Sequence, residues 1–398
     1  MPTAALSTLT TIGVGGAPDR LIEPKTREDL VAVARAVWAS DEPWLLLGGG
    51  SNTVASEAGF EGTVIRIGTR GLEHVAVEQD DAVAAPVVRL RIQAGERWDD
   101  VVAHTVQRGW AGIEALSGIP GSVGAAPVQN IGAYGQELSG TLSSIEFLDY
   151  DSGEVRRLLA AELDLGYRTS ALKRGLRGLT LSIDLDLTVA EGGDGQAHGE
   201  PARYPQLADA LGVQLGTRVP LARVRSTVLG LRAAKGMVLD AADPDTASAG
   251  SFFTNPIVDE AFSRTLPPDA PRWPLDELND ESVVVPLDAA SATSAYGVSG
   301  SIPELAEALA GRDLYATSDS AMVKLSAAWL IEHAGIPRGF RLPGSAAAVS
   351  SKHTLALTNT GGATGEQVAE LARFIRNRVL SDFGIGLQPE PVLVGLTL

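Results

Sequence analysis

Apolar positions in the first hundred residues switch between a helical and a strand period. Leu30, Val31, Ala34, Val37 and Trp38 recur at helical spacing after Thr26 and Asp29, which read as a capping-box-like start, and the run stops at Pro43. Strands are expected at Trp44–Leu47, 63–67 and Val87–Gln93. A helix follows with Trp98, Val101, Val102, Thr105 and Val106 on one face and its end at Gly109. Residues 143–159 read as two strands around a turn at Asp151-Ser152-Gly153. Leu179, Leu181, Ile183, Leu185 and Leu187 alternate with polar residues, the pattern of a half-buried strand. Residues 190–202, with four glycines and several acids, read as an exposed mobile loop. The stretch 265–319 is rich in Pro, Asp, Ser and Ala and reads as an insertion or a loosely structured lobe. Beyond it, a helix is expected at 321–333, a strand at 353–359, and a helix from Thr364 with Val368, Leu371, Ile375 and Val379 inward. The mixture is that of an α+β protein.

Composition narrows the function classes. A chain of 398 residues holds two or three domains at ~150 residues each. With 44% hydrophobic and 20% charged residues it has the make-up of a globular enzyme and not of a disordered chain. The net charge of −17 repels nucleic acid and anionic membrane over most of the surface. An anionic small molecule stays possible, because salt screens distant charge within ~10 Å of a basic cleft. The sequence has no Cys and five His, so no thiolate site and no metal centre is expected. The start MPTAALSTLTTIG lacks a basic segment followed by an apolar core, and no apolar run approaches the ~18 to 20 residues that span a bilayer. A soluble, unprocessed, cytoplasmic protein is expected.

Five segments could carry chemistry. Leu47-Gly48-Gly49-Gly50-Ser51-Asn52 leaves an apolar strand, and consecutive glycines let main-chain N–H groups approach phosphate oxygens; a plain strand-exit turn would read the same way. The run from Gly118 to Gly135 holds five Gly and two Pro among Ile, Val and Tyr with almost no charge. It is too apolar for a solvated linker, so it is either a pre-shaped ligand loop or a buried crossover. Tyr167-Arg168-Thr169-Ser170 places an arginine beside a tyrosine. Gly250-Ser251-Phe252-Phe253-Thr254-Asn255-Pro256 presents a hydroxyl between a hinge and bulky apolar groups, as a shielded proton donor would be. Pro389-Glu390-Pro391 holds a carboxylate between two fixed φ angles.

In this order the segments resemble the UDP-N-acetylenolpyruvoylglucosamine reductase family, and the likeness runs nearly end to end. The resemblance implies a PCMH-type (vanillyl-alcohol-oxidase-like) FAD-binding fold with a C-terminal α+β substrate-binding domain. It implies FAD-binding subdomains at 1–68 with 389–398 and at 69–235, the latter carrying a substrate loop at 190–204. The substrate-binding domain is implied at 236–388, with the insertion near 265–319. The implied reaction is NADPH-dependent reduction of an enolpyruvyl sugar nucleotide through FAD, with hydride from flavin N5, in peptidoglycan precursor synthesis, and so a part in cell shape and division.

Carried over residue by residue, Ser251 is the proton donor, and Arg168 and Glu390 stabilise the intermediate. FAD would be held by Leu47, Gly48, Gly49, Gly50, Ser51 and Asn52, with Ile119, Pro120, Gly121, Ser122, Gly124, Ala125, Asn130, Gly132, Ala133, Tyr134 and Gly135 from the second glycine segment. Tyr167, Tyr204, Lys235, Asn255 and His353 would hold the substrate, with Tyr204 closing over it and Lys235 meeting the diphosphate. The expected partner is that small molecule, with no nucleic acid and no membrane, on a monomer. The rival readings are another flavin oxidase of the same superfamily and a non-catalytic nucleotide-sugar binding protein.

Overall fold

Thr26 satisfies an orphan N–H at the head of the first helix, its Oγ1 accepting from the Asp29 N–H at 3.1 Å. Glu28 and Asp29 add negative charge where the helix dipole is positive. The computed structural model describes residues 3–76, 86–190, 196–275 and 321–398. Its first unit runs β1 (Pro18–Ile22), α1 (Arg27–Trp38), β2 (Trp44–Leu47), β3 (Thr53–Ala55) and β4 (Phe60–Arg66). β1, β4 and β2 form a parallel sheet in that order, so helix α1 must cross over one face. Its Leu30, Ala34 and Val37 pack on Trp44 and Ile65.

The second unit holds β5 (Leu72–Val75), β6 (Val87–Gln93), α2 (Trp98–Arg108), β7 (Trp110–Ala111), the small hairpin β8 (Gly132–Ala133) and β9 (Gln136–Glu137), β10 (Leu142–Asp149), β11 (Val155–Leu159) and β12 (Gly178–Val189). The larger strands form an antiparallel sheet in the order β11-β10-β12-β6-β5. β12 corrects the expectation of a half-buried strand, because every residue from Leu179 to Leu185 is buried. The reason lies on its polar side: Asp184 is forked by Arg91 at 2.9 Å and met by Arg157, and Asp186 is forked by Arg89 at 2.6 Å. The long arginine stems roof the face that alternation assigned to water.

The described part of the expected mobile loop is also corrected. Residues 191–195 lie outside the described residues, but from His198 the chain lies against 216–221 before entering α3 (Pro205–Leu211) and α4 (Leu221–Ala234). The Gly199 N–H donates to Val219 O at 2.8 Å, and Ala202 is buried with Leu207, Leu211 and Val224. Glu114, itself buried, accepts from the Glu200 N–H at 2.6 Å and from the Gly112 N–H at 2.7 Å. Composition pointed to solvent; main-chain pairing with a distant segment decided otherwise.

The third unit is antiparallel. β13 (Ser248–Ser251), β18 (Ala356–Asn359) and β17 (Ala347–Val349) make one sheet, and β14 (Ile257–Asp259), β16 (Met322–Leu325) and β15 (Arg272–Pro274) another. Both pack on the helices Ala327–His333 and Gly365–Phe383. Val368, Leu371, Ile375 and Val379 are fully buried as expected, each burial contributing about 1.5–3 kcal/mol. Two expectations shift. The span 321–333 is strand then helix, since Ser326 caps the helix through the Trp329 N–H and frees Met322–Leu325 to pair on both sides. His353 precedes its strand, which starts at Ala356. Of the expected insertion, residues 265–275 form a turn and β15, and 276–319 lie outside the described residues. The last strand, β19 (Val392–Val394), returns to pair in parallel with β3, stitching the C-terminus beside the first glycine loop.

Candidate active site

The two glycine segments meet face to face. A Cβ on Gly49 would sit 2.6 Å from Gly121 Cα, and one on Gly48 would sit 2.4 Å from Ser122 Oγ. Ser51 Oγ donates to Pro120 O at 3.1 Å and closes the contact. Gly50, at φ +66, lies so close to Leu9 O that no Cβ fits there either. Among the described residues, the N–H groups of Gly49, Gly50 and Ser51 find no protein acceptor, and the buried Ser122 Oγ has no partner. Free main-chain donors and an orphan hydroxyl in a groove only glycine can line fit the pyrophosphate of a dinucleotide such as FAD. The groove continues between Gly124, Ala125 and Val128 on one side and Phe147, Leu179 and Thr180 of the sheet on the other, an apolar slot suited to a flat ring system. Leu47 is buried at the end of β2.

The Asn130 side chain is held by partners within the protein. It is buried at φ +43, donates to Glu137 Oε2 at 2.9 Å and Gly166 O at 3.2 Å, and accepts from the Ser139 N–H at 2.9 Å. It thereby ties the second glycine segment to the Tyr167-Arg168 turn. That turn is closed by paired main-chain bonds between Gly166 and Thr169 at 3.1 and 3.2 Å, with Arg168 at φ +53, a left-handed conformation that non-glycine residues seldom adopt. The Arg168 guanidinium donates to Gly132 O at 3.3 Å and stands 3.9 Å from the Glu390 carboxylate. Glu390 is fixed by its main chain: its N–H donates to Phe252 O at 2.9 Å, and its carbonyl accepts from Asn52 Nδ2 at 3.1 Å. Because Phe253 bridges Pro389, Ser251 at the end of β13 runs alongside Glu390. Tyr167 lies beside Asn255, whose Oδ1 accepts from the Ala327 N–H at 3.0 Å, and burial raises the phenol pKa. Four residues far apart in sequence, Tyr167, Arg168, Asn255 and Glu390, thus gather beside the glycine groove, and the main chain of Ser251 adjoins them one residue before Phe252.

A second group forms further along. Tyr134 and Tyr204 meet edge to face at 6.0 Å, and Lys235 Nζ lies 5.7 Å from the Tyr134 ring while donating to Gln206 at 3.1 Å. Tyr134, read from sequence with the cofactor loop, therefore stands with Tyr204 and Lys235. The His353 pKa falls to about 4 through burial and the nearby Lys235, Arg232 and Arg338, so its ring is neutral near pH 7.

Three cations not singled out from the sequence border the same cleft. Arg232, three residues before Lys235 on the last turn of α4, has a buried Nε with no partner among the described residues. That spacing could have revealed it. Lys324 Nζ lies 4.9 Å from the centre of the Tyr167 ring, and Lys173 Nζ donates to Arg168 O at 3.0 Å; burial lowers both their pKa values. No sequence spacing announces either.

Two glycine loops facing each other across a groove, joined to an α+β lobe that adds Asn255 to the polar cluster of Tyr167, Arg168 and Glu390, define a flavoenzyme of the PCMH type. Residues 18–159 match the family model described as an FAD binding domain, and residues 243–394 match that of the UDP-N-acetylenolpyruvoylglucosamine reductase C-terminal domain. The chain is 58% identical over 99% of its length to the UDP-N-acetylenolpyruvoylglucosamine reductase of Leifsonia xyli subsp. xyli, of which it covers 99%. It is 41% identical to that of Salinispora arenicola, with 99% of this chain and 95% of the relative aligned. The chain belongs to the UDP-N-acetylenolpyruvoylglucosamine reductase family, a family of FAD-dependent oxidoreductases. The crystal structure of the enzyme from Thermus caldophilus shares the fold, with a TM-score of 0.56 at 22% identity over 98% of this chain and 97% of that one.

Proposed function

We propose that this chain reduces the enolpyruvyl group of UDP-N-acetylglucosamine enolpyruvate to UDP-N-acetylmuramate, using NADPH through FAD. The observation that carries the reading is the meeting of Arg168, Glu390, Tyr167 and Asn255 beside the glycine groove, on the strand segment that Ser251 precedes. Bound in that groove, FAD supplies the hydride, taken from NADPH and delivered to the CH₂ end of the enolpyruvyl ether. The protein's work is to stabilise and protonate what results. Negative charge left on the adjacent carbon spreads into the substrate carboxylate, where Arg168 balances it and Glu390 sets the position of the guanidinium. Ser251 Oγ gives its proton to that carbon and is reprotonated from solvent; a weak acid suffices because the carbon is strongly basic.

Tyr167 and Asn255 hold the sugar end. Lys235, Arg232 and neutral His353 receive the diphosphate, which gives Arg232 Nε the acceptor it lacks among the described residues. Tyr134 joins Tyr204 on the nucleotide side, while the cofactor is left to residues 47–52 and 119–125. Asn130 and the hairpin of Gly132, Ala133 and Gly135 brace the site. The domain division is proposed as 1–68 with 389–398, 69–235 and 236–388. Among the described residues no helix is long and apolar enough to cross a membrane; the working place is proposed to be the cytoplasm, as a monomer, with roles in cell shape and division following from the product. The purified protein is expected to be yellow and to oxidise NADPH only when the enolpyruvyl sugar nucleotide is added. A colourless protein that FAD cannot reconstitute overturns the reading.

A further inference from the structure

We propose that Lys173 is a positioning residue for this reduction: its ammonium, by donating to the main-chain carbonyl of Arg168, holds Arg168 in the left-handed conformation that aims the guanidinium between Gly132 and Glu390. The inference rests on the assignment of Arg168 to the substrate carboxylate made above.

Arg168 needs such a hold. A non-glycine residue at φ +53 is strained and persists only where its surroundings overdetermine it. The neighbouring N–H and C=O groups of Gly166 and Thr169 already pair with one another, which leaves the Arg168 carbonyl as the free handle on the turn. Lys173 Nζ takes that handle at 3.0 Å. The lysine is itself placed by Ser170, whose Oγ accepts from the Lys173 N–H at 3.1 Å and donates to Val128 O at 2.8 Å. Val128 belongs to the second glycine segment, so the hold on Arg168 is referenced to the cofactor groove.

An ordinary lysine would not be spent this way. Lys173 is half-buried, and burial and the Arg168 charge work against its ionised form, opposed by the Glu390 carboxylate across the cluster. Among the described residues it makes no ion pair within 4.0 Å, and its ammonium has the Arg168 carbonyl as its only hydrogen-bond acceptor. A half-buried cation whose one hydrogen bond goes to the main chain of the residue that meets the reacting charge is accounted for by orientation. Reorientation of a catalytic group by about 1 Å costs on the order of 100-fold in rate, which sets the scale of the effect.

The test separates the two half-reactions in the FAD-loaded enzyme by stopped flow. Lys173→Met is expected to keep its flavin and its rate of reduction by NADPH within about twofold, and to lose on the order of 100-fold in reoxidation by the sugar nucleotide. Lys173→Arg, which keeps a cationic donor, is expected to recover most of that loss; Lys173→Gln is measured beside Lys173→Met so that a poorly folding variant does not end the experiment. On an Arg168→Ala background, Lys173→Met is expected to cost nothing further, since it acts through Arg168. Calorimetric titration of the oxidised enzyme with UDP-N-acetylmuramate should follow the same pattern, weaker in Lys173→Met and indifferent to Lys173 once Arg168 is gone. Unchanged reoxidation in Lys173→Met, equal losses in both half-reactions, or losses that add to those of Arg168→Ala each overturn the positioning role. If Arg168→Ala alone leaves reoxidation intact, the assignment of Arg168 falls first and the inference falls with it.

Discussion

In the glycine groove the contact surface is main chain: Gly49 against Gly121, Gly48 under Ser122, and N–H groups without acceptors among the described residues. A few ångströms of chain away, the Arg168 cluster is made of side chains, brought from the turn after Gly166, the end of β13 and the segment before β19. The groove is closed to added volume, whereas the cluster depends on the chemistry of its side chains. A dinucleotide's pyrophosphate is bound by shape and amide donors, whereas a transient carbanion needs a particular proton and a particular positive charge.

That contrast is open to attack from both sides. The largest effect is expected from Ser251→Ala, which should leave flavin reduction by NADPH intact and slow reoxidation by the sugar nucleotide about 10²–10⁴-fold; equal loss in both half-reactions would remove Ser251 as proton donor. Next comes Gly49→Ala, whose methyl meets the Gly121 main chain at 2.6 Å and cannot be relieved by a rotamer change. It is expected to weaken FAD retention at least about tenfold, the equivalent of about 1.4 kcal/mol, read as flavin absorbance after gel filtration; a fully yellow variant would show the groove to be looser than its geometry.

A smaller effect concerns pH. His353 titrates near 4 in the folded chain and near its ordinary 6.5 when unfolded, so between those values the unfolded state binds more protons. Folding stability is therefore full above pH 6.5 and is lost as pH falls toward 4, with a slope of at most about 1.4 kcal/mol per pH unit from this group. In His353→Gln the slope over that window should flatten, as measured by urea unfolding at several pH values; an unaltered slope would remove His353 from the linkage. The smallest effect is expected from Ser51→Ala, which loses one hydrogen bond to Pro120 O worth about 1 kcal/mol and should lower FAD affinity only severalfold. A loss there as large as that of Gly49→Ala would break the distinction between a main-chain groove and a side-chain cluster.

The parts of the fold legible in the chain were those where a local rule stands alone. Thr26 caps α1, Gly109 at φ +74 ends α2, and Thr364 with Gln367 boxes the last helix, each within four residues of the feature it controls. The misread parts were those where a distant partner overrode local chemistry: Asp184 and Asp186 buried under arginines, and residues 196–202 paired with 216–221. The site divides in the same way. Its glycine runs and the Ser251, Arg168 and Glu390 motifs stood out as residues, but Lys173 and Lys324 carried no spacing that set them apart from surface cations.

The sequence by itself determined the helices at 27–38, 98–108 and 365–383, the longer strands such as β2, β6, β10 and β12, the two glycine runs and the family resemblance, because caps, periodicity and motif order are written within short windows. The tertiary structure alone decided which of these meet. Only after β19 pairs with β3 and Phe253 bridges Pro389 does a carboxylate near the C-terminus come within 3.9 Å of an arginine 222 residues earlier in the chain (390 − 168), and such closeness is set by sheet pairing and packing, not by any local run of residues.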